Sequence, residues 1–167
     1  MEDDVQDFVL GTGLGFLYRN REQNSRGFSH GGVAIIFKNS VCNFIKLDFP
    51  NPSGFEVLGG VGTLRGHSRR MVVLACYLPP GYNAARGRAC LDYITDLVIE
   101  VKTCYRQPYI VVVGDFNQWP IHEALGDYAD ITESTVGPTR GSRSIDRIFT
   151  SFGDCIRDSG TLPPLET

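Results

Sequence analysis

Short apolar runs separated by glycine, proline and polar residues fill much of the first half of the chain. Runs rich in β-branched and aromatic residues predict strands at about 33–37, 41–47, 55–64 and 71–78. The loops between these runs contain turn-forming residues, among them Pro50, Pro52, Gly54 and Gly66. Such loops favour an antiparallel meander.

From residue 84 to residue 106 the apolar positions change to helical spacing. The apolar stripe consists of Leu91, Ile94, Leu97, Val98, Val101 and Tyr105. We predict that this helix crosses over to a strand that begins at Tyr109. A short helix at 123–127 and a last strand at 145–150 complete the predicted elements.

Residues 1–26 are acidic at the start and contain several glycines. The glycines at 8–18 do not have the spacing of a nucleotide-binding loop, so the sequence predicts a flexible loop there. Residues 19–29 are predicted to continue as a polar loop. We therefore treat 1–26 as a separate N-terminal segment.

The strand at Tyr109 leads directly into Gly114, Asp115 and Asn117. Open α/β sheets place their chemistry at such strand ends. Asp115 can accept a proton or hold a metal, and Asn117 can donate to and accept from a phosphate. The alternative is an Asx turn, in which these side chains only satisfy backbone groups.

Two further polar side chains lie at or near the ends of apolar runs. Tyr77 is followed by two prolines that stop its strand. Asp146 lies among the apolar residues of the last strand, where an unpaired carboxylate is unfavourable to bury. We expect Asp146 to lie near solvent or to pair with Arg143 or Arg147, and all four candidates to converge on one cleft at the carboxyl ends of adjacent strands.

These segments, in this order, resemble the endonuclease/exonuclease/phosphatase superfamily of metal-dependent phosphodiesterases. The matching segments are 30–37, 71–80, 109–117 and 144–148. The Tyr-x-Pro-Pro variant at 77–80 and the Pro-Thr-Arg at 138–140 are most similar to the endonuclease domains of non-LTR retrotransposons. The resemblance covers roughly residues 27–150.

The resemblance implies a two-sheet α/β sandwich flanked by helices, present here as a partial domain at 27–167. Members of the family begin with strands that carry an Asn and a metal-binding Glu, and they end with Ser-Asp-His. These features have no counterpart in the sequence, and the metal-ligand role is not assigned to Glu2. We therefore expect an open sheet edge and little or no nicking activity from the isolated chain, even with magnesium.

The chemistry implied by the resemblance is hydrolysis of a DNA phosphodiester with Mg²⁺ or Mn²⁺. Asp115 would orient or deprotonate water or protonate the leaving group, and Asn117 and Tyr77 would donate hydrogen bonds to phosphate oxygens. Asp146 would orient the family histidine. A reverse transcriptase is a possible fusion partner. A non-catalytic nucleic-acid-binding remnant and a phosphatase of the same superfamily remain alternatives.

Composition adds few constraints. The net charge is −3, so there is no overall basic field, although only three of the 16 basic residues are lysines. Five cysteines without Cys-x-x-Cys spacing argue against a zinc site. Reduced thiols and the absence of a signal peptide predict an intracellular protein, with the nucleus among the locations considered, and no apolar run is long enough for a membrane span.

One tryptophan and three histidines are further residues to which the resemblance assigns no role. Trp119 could stack on a base, which would favour DNA, or anchor its own loop. His30 and His67 are interpreted as turn and loop residues. His122 follows the Asp115 turn, although the family does not place its catalytic histidine there.

Overall fold

The computed structural model describes residues 13–20, 32–50, 54–126, 128, 130–135 and 137–160. It contains a six-stranded sheet, a two-stranded sheet and two α-helices within that part of the chain. In chain order the elements are β1 (Leu14–Asn20), β2 (Gly32–Lys38), β3 (Cys42–Leu47), β4 (Glu56–Leu64), β5 (Arg70–Tyr77), α1 (Ala84–Cys104), β6 (Tyr109–Asp115), α2 (Ile121–Gly126), β7 (Thr132–Glu133) and β8 (Asp146–Thr150). A short 3-10 turn follows at Gly153–Cys155.

The large sheet has the strand order β3-β4-β5-β6-β8-β7. Strands β3, β4 and β5 form an antiparallel meander as predicted, but the strand predicted at 33–37, β2, pairs with β1 in the other sheet. Helix α1 then carries the chain back, so that β6 pairs with β5 in parallel, as predicted. Strand β8 returns antiparallel to β6, and the two-residue strand β7, which the sequence did not predict, lies at the outer edge.

Helix α1 covers one face of the large sheet. Its N-terminus is capped by Asn83, whose side chain accepts a hydrogen bond of 2.9 Å from the backbone N–H of Arg86. The apolar stripe predicted from the sequence faces the sheet, and Leu97 and Val98 are almost fully buried. Beneath the helix lie alternate residues of the central strands, including Val72, Leu74, Cys76, Ile110 and Val112.

The two-stranded sheet lies across the other face. Ile35 of β2 packs with Leu58 and Ala75 of the large sheet, and Leu17 of β1 and Val113 of β6 adjoin this cluster. The fold is therefore a two-sheet α/β sandwich with helices on one side, as predicted. No helix in the described ranges is long and apolar enough to cross a membrane.

The N-terminal loop prediction was wrong for residues 14–20. Strand β1 occupies them and pairs with β2 from Leu14–Lys38 to Asn20–Gly32. The glycines favoured a loop, but the strand gains its stability from long-range pairing and from burying Leu17 against the large sheet. The predicted boundary after residue 26, together with Glu2, His30 and residues 161–167, lies outside the described residues.

Several predicted element bounds shift slightly. Helix α1 ends at Cys104 instead of 106, and α2 begins at Ile121, directly after Pro120. Proline favours the start of a helix because its missing N–H is not needed there. The outer strands β2 and β3 expose Ile36 and Ile45, which are 63% and 64% accessible.

Gly114 allows β6 to approach β5 closely. A Cβ atom at this position would lie 1.9 Å from the carbonyl oxygen of Cys76, far inside contact distance. Because that oxygen belongs to the backbone, the clash could be relieved only by moving the strands apart. Gly114 therefore fixes the strand spacing directly beside Asp115.

Replacing Gly114 with alanine is expected to lower the free energy of unfolding by about 3 kcal/mol, at the upper end for overpacked sites. Chemical denaturation monitored by circular dichroism measures this change. Gly126→Ala is the matched control, because no atom lies within 4 Å of a Cβ placed there. Equal stability of the two variants would contradict the role assigned to Gly114.

Candidate active site

Three of the predicted site residues stand side by side across three neighbouring strands. Tyr77 at the end of β5 is opposite Asp115 at the end of β6, and Asp115 is opposite Asp146 of β8. The prediction that all of them lie at carboxyl ends was wrong for Asp146, which is the first residue of β8. Because β8 is antiparallel to β6, its amino end reaches the same edge of the sheet.

The turn after β6 ties Asp115 and Asn117 to the end of β5. The backbone N–H of Asn117 donates to Oδ1 of Asp115 at 2.9 Å, which is the Asx turn considered as the alternative. Asn117 has a φ of 50°, and its Nδ2 donates to the carbonyl of Leu78 at 2.9 Å. The N–H of Leu78 donates in return to the carbonyl of Asp115. The Asx turn thus positions the Asp115 carboxylate and engages only one of its two oxygens.

Asp146 is exposed to solvent, which is one of the two outcomes expected for it. The arginine beside it, Arg147, makes contacts with other side chains. Its Nη1 lies 3.4 Å from Oε2 of Glu133 and 3.0 Å from Nδ1 of His122. The sequence alone did not show whether Asp146 would be exposed or paired with an arginine. Neighbours along a strand point to opposite faces, so Arg147 need not reach Asp146.

Thr139 holds the start of β8 in place, a role that the sequence did not suggest. Its Oγ1 accepts hydrogen bonds of 3.0 Å from the backbone N–H groups of both Ile145 and Asp146. The carbonyl of Ile145 in turn accepts from the N–H of Phe116 at 2.8 Å. Asp146 is therefore anchored both to its own loop and to the turn that carries Asp115.

The charges around Asp115 oppose one another. Burial raises the pKa of Asp115 most strongly, and the nearby Asp146 carboxylate raises this pKa further. The backbone hydrogen bond from Asn117 and the positive charge of Arg140 both lower it, but the net direction of the pKa shift is upward. The two carboxylates thus share one electrostatic environment, in which a proton or a cation is stabilised.

A cavity of about 260 Å³ opens beside this pair of carboxylates. Its walls include Asp115 and Asp146, the hydroxyl residues Ser134, Thr135 and Thr139, and the apolar residues Val113 and Ile148. The cavity lies on the face of the large sheet opposite α1. A group bound there can contact both carboxylates and the hydroxyl-bearing loop.

Glu56 is a second residue that the sequence reading missed. It is opposite Tyr77 in the pairing of β4 with β5, which extends the polar row to a fourth strand. Only 7% of its surface is accessible. The signal was present in the sequence, since Glu56 stands at the start of an apolar strand much as Asp146 does.

The remaining candidates lie outside the row. Trp119 donates from Nε1 to the carbonyl of Pro79 at 3.3 Å, and its ring fills the space beside Gly87 of α1. The structure therefore supports loop anchoring for Trp119, and base stacking loses its support. His67 is an exposed loop residue, and His122 contacts Arg147 from helix α2.

The chemistry of the donor set fits a hard divalent cation. Mg²⁺ commonly binds to one or two carboxylates and completes its coordination with water and substrate phosphate. Asp115 and Asp146 supply two carboxylates whose mutual repulsion a cation would relieve. No group of three or more His, Cys, Asp or Glu side chains suited to a metal occurs within the described ranges.

The sequence matches the Endonuclease/Exonuclease/phosphatase family model over residues 2–166. The chain belongs to this family. A comparison with curated proteins finds no significant sequence match.

Solved structures with the same fold have different activities. The human Nocturnin catalytic domain, solved with bound sulfate, has a TM-score of 0.70 at 12% identity over 90% of this chain and 65% of its own. A Bacteroides thetaiotaomicron mannosyl-6-phosphatase has a TM-score of 0.66 at 12% identity over 89% and 67%. D. rerio TDP2 with a single-strand DNA product has a TM-score of 0.57 at 15% identity over 98% and 70%. The chain thus spans about two thirds of the length of these proteins, and at these identities the likeness shows the fold alone.

The charges facing Asp115 predict opposite effects of two substitutions on its pKa. Asp146→Asn removes a negative neighbour and should lower the pKa of Asp115, whereas Arg140→Gln removes a positive charge and should raise it. Carboxyl-detected NMR titration measures both changes. Shifts of the pKa in the same direction in the two variants would show that the side chains do not act on Asp115 through their charges.

Replacing Thr139 with valine keeps the shape of the side chain but removes the acceptor of two backbone N–H groups. We expect a loss of about 2 kcal/mol in the free energy of unfolding, with faster hydrogen exchange at the amides of Ile145 and Asp146. Thr139→Ser is the control, because it keeps the hydroxyl and should retain most of the protection. Unchanged exchange in Thr139→Val would contradict this anchoring role.

Proposed function

We propose that this chain belongs to a metal-dependent DNA endonuclease domain, of the kind found in non-LTR retrotransposons. The observation that supports the proposal most directly is the row formed by Tyr77, Asp115 and Asp146 at one sheet edge. On this proposal the domain extends beyond the predicted 27–167 to include strand β1, because Leu14–Asn20 pairs with β2 and the family model matches residues 2–166. The same proposal includes a reverse transcriptase in the same polypeptide and an intracellular location, with the nucleus among the compartments considered.

The proposed reaction is hydrolysis of a phosphodiester bond by water. Asp115 orients or deprotonates the attacking water, or protonates the leaving group. The Tyr77 hydroxyl donates a hydrogen bond to a phosphate oxygen and stabilises negative charge as it develops. Asn117 fixes the turn through its hydrogen bond to Leu78, and the second N–H of its amide donates to a phosphate oxygen. Asp146 acts with Asp115 as a ligand of the metal ion, in place of the histidine-orienting role that the resemblance implies.

Asp115 and Asp146 would hold a Mg²⁺ or Mn²⁺ ion. When bound, the ion supplies charge neutralisation at the phosphate and at the departing oxygen. Thr139 contributes indirectly, because it fixes the backbone of Asp146. Arg140 offers a positive charge near the same carboxylates, where it can attract a phosphate.

Two other functions differ from this proposal in their substrate or in the absence of hydrolysis. A phosphatase for a small phosphate ester or an inositol lipid is supported by the shared fold of the mannosyl-6-phosphatase. A non-catalytic domain that binds nucleic acid would keep the cleft without performing the reaction. The DNA substrate is supported by the Tyr-x-Pro-Pro segment at 77–80 and by the fold of the DNA-bound TDP2 structure.

The test compares the wild-type chain with Asp115→Ala in three assays. These are nicking of supercoiled plasmid, phosphate release from mannose 6-phosphate or an inositol phospholipid, and binding of duplex DNA with and without Mg²⁺. We expect Mg²⁺ to strengthen DNA binding by about tenfold, roughly 1.4 kcal/mol, and this gain to disappear in Asp115→Ala. Any nicking should disappear with it.

The other outcomes each contradict the proposal. Phosphate release that depends on Asp115 would establish the phosphatase instead. DNA binding that is insensitive to both Mg²⁺ and Asp115→Ala, without nicking, would establish the non-catalytic domain. Asp146→Asn serves as a second variant, because Asp146 is exposed and its replacement should leave the fold intact.

A further inference from the structure

The loop between β4 and β5 forms a basic surface far from the row of carboxylates. Residues 65–70 read Arg-Gly-His-Ser-Arg-Arg, with three arginines and no acidic residue. Strand β5 begins at Arg70 and ends at Tyr77, so the loop lies at the opposite edge of the sheet from the candidate active site. Eight residues of extended strand separate the two edges by about 23 Å.

Each of the three arginines is held by a neutral partner. Arg65 Nη2 donates to the carbonyl of Asn39 at 3.2 Å, and Arg70 Nη1 donates to Oγ1 of Thr63 at 2.9 Å. Arg69 Nε donates to the carbonyl of Gln107 at 2.7 Å. In the part of the chain that the structure describes, none of the three pairs with a carboxylate. Their positive charges are therefore fixed in place but not neutralised.

Arg69 has an aromatic contact in addition to its hydrogen bond. Its guanidinium carbon lies 4.0 Å from the centre of the Tyr109 ring, so one face of the group rests on the ring. With Nε bonded to Gln107, the terminal nitrogens remain available at the surface. Arg69 lines a cavity of about 490 Å³ together with Lys102, Gln107, Asp130 and Ser151. Lys102 is paired with Asp130 there, so Arg69 supplies the uncompensated charge.

We propose that Arg65, Arg69 and Arg70 form a second nucleic-acid surface, which binds the phosphodiester backbone independently of the candidate active site. Planar guanidinium groups match phosphate oxygens in geometry and hydrogen-bond in pairs with them. Groups that are already ordered lose little side-chain entropy on binding. Contacts to phosphate oxygens carry no sequence information, so the surface anchors the chain on a polymer whose other part reaches the cleft.

The test measures fluorescence anisotropy of labelled duplex DNA, single-stranded DNA and single-stranded RNA in EDTA, with Asp115→Ala as the background. Neither metal nor hydrolysis enters the measurement, so its result is separate from that of the proposed endonuclease function. Arg69→Gln/Arg70→Gln should weaken binding and reduce the slope of log affinity against log salt by about 2 for duplex DNA. The three polymers show which backbone the surface prefers.

The matched control is Arg88→Gln/Arg157→Gln, which removes the same charge at two exposed positions outside the loop. It should leave the affinity and the salt slope near the wild-type values. Ser68→Glu adds a negative charge between the arginines without removing any of their hydrogen bonds. This variant should weaken binding as well, which separates the effect from any loss of folding.

Three results would overturn the proposal. The first is unchanged affinity and salt slope in both Arg69→Gln/Arg70→Gln and Ser68→Glu. The second is an equal loss in the Arg88→Gln/Arg157→Gln control, which would indicate only a general charge effect. The third is equally tight, Arg69-dependent binding to phosphatidylserine vesicles, which would identify a surface for any polyanion.

Discussion

The parallel pairing of β5 with β6 is the contact on which the candidate site depends. Gly114 and the carbonyl of Cys76 approach so closely that no Cβ atom fits between them. Immediately beyond, the N–H of Leu78 bonds to the carbonyl of Asp115 and the side chain of Asn117 bonds to the carbonyl of Leu78. Because helix α1 buries the other face of both strands, this register cannot slip without exposing the core.

The same sheet separates two kinds of charge. Carboxylates collect at the edge where β5 and β6 end, and Asp115 is held there with a raised pKa by burial and by Asp146. Arginines that are fixed by neutral oxygens collect at the edge where these strands begin. The net charge of −3 does not reveal this arrangement, because it sums the charges of the whole chain.

The residues of the candidate site were largely predictable because each carries a local signal. Asp115 and Asn117 follow a buried strand, Tyr77 precedes two prolines, and Asp146 interrupts an apolar run. Thr139 carries no such signal, since its partners are backbone N–H groups that only the folded loop brings near. The role of Trp119 was ambiguous for a related reason, because its ring packs beside Gly87 of α1, a contact that only the folded chain brings about.

By itself, the sequence determined the helix, the central strands and the crossover between β5 and β6, since apolar periodicity and turn residues are local properties. It did not determine β1, which is stabilised by pairing with β2 and by packing on the large sheet. Tertiary structure also decided that Asp146 faces the site while Arg147 turns to Glu133. Distances between strands and the direction of each side chain follow from long-range pairing, and no residue encodes them alone.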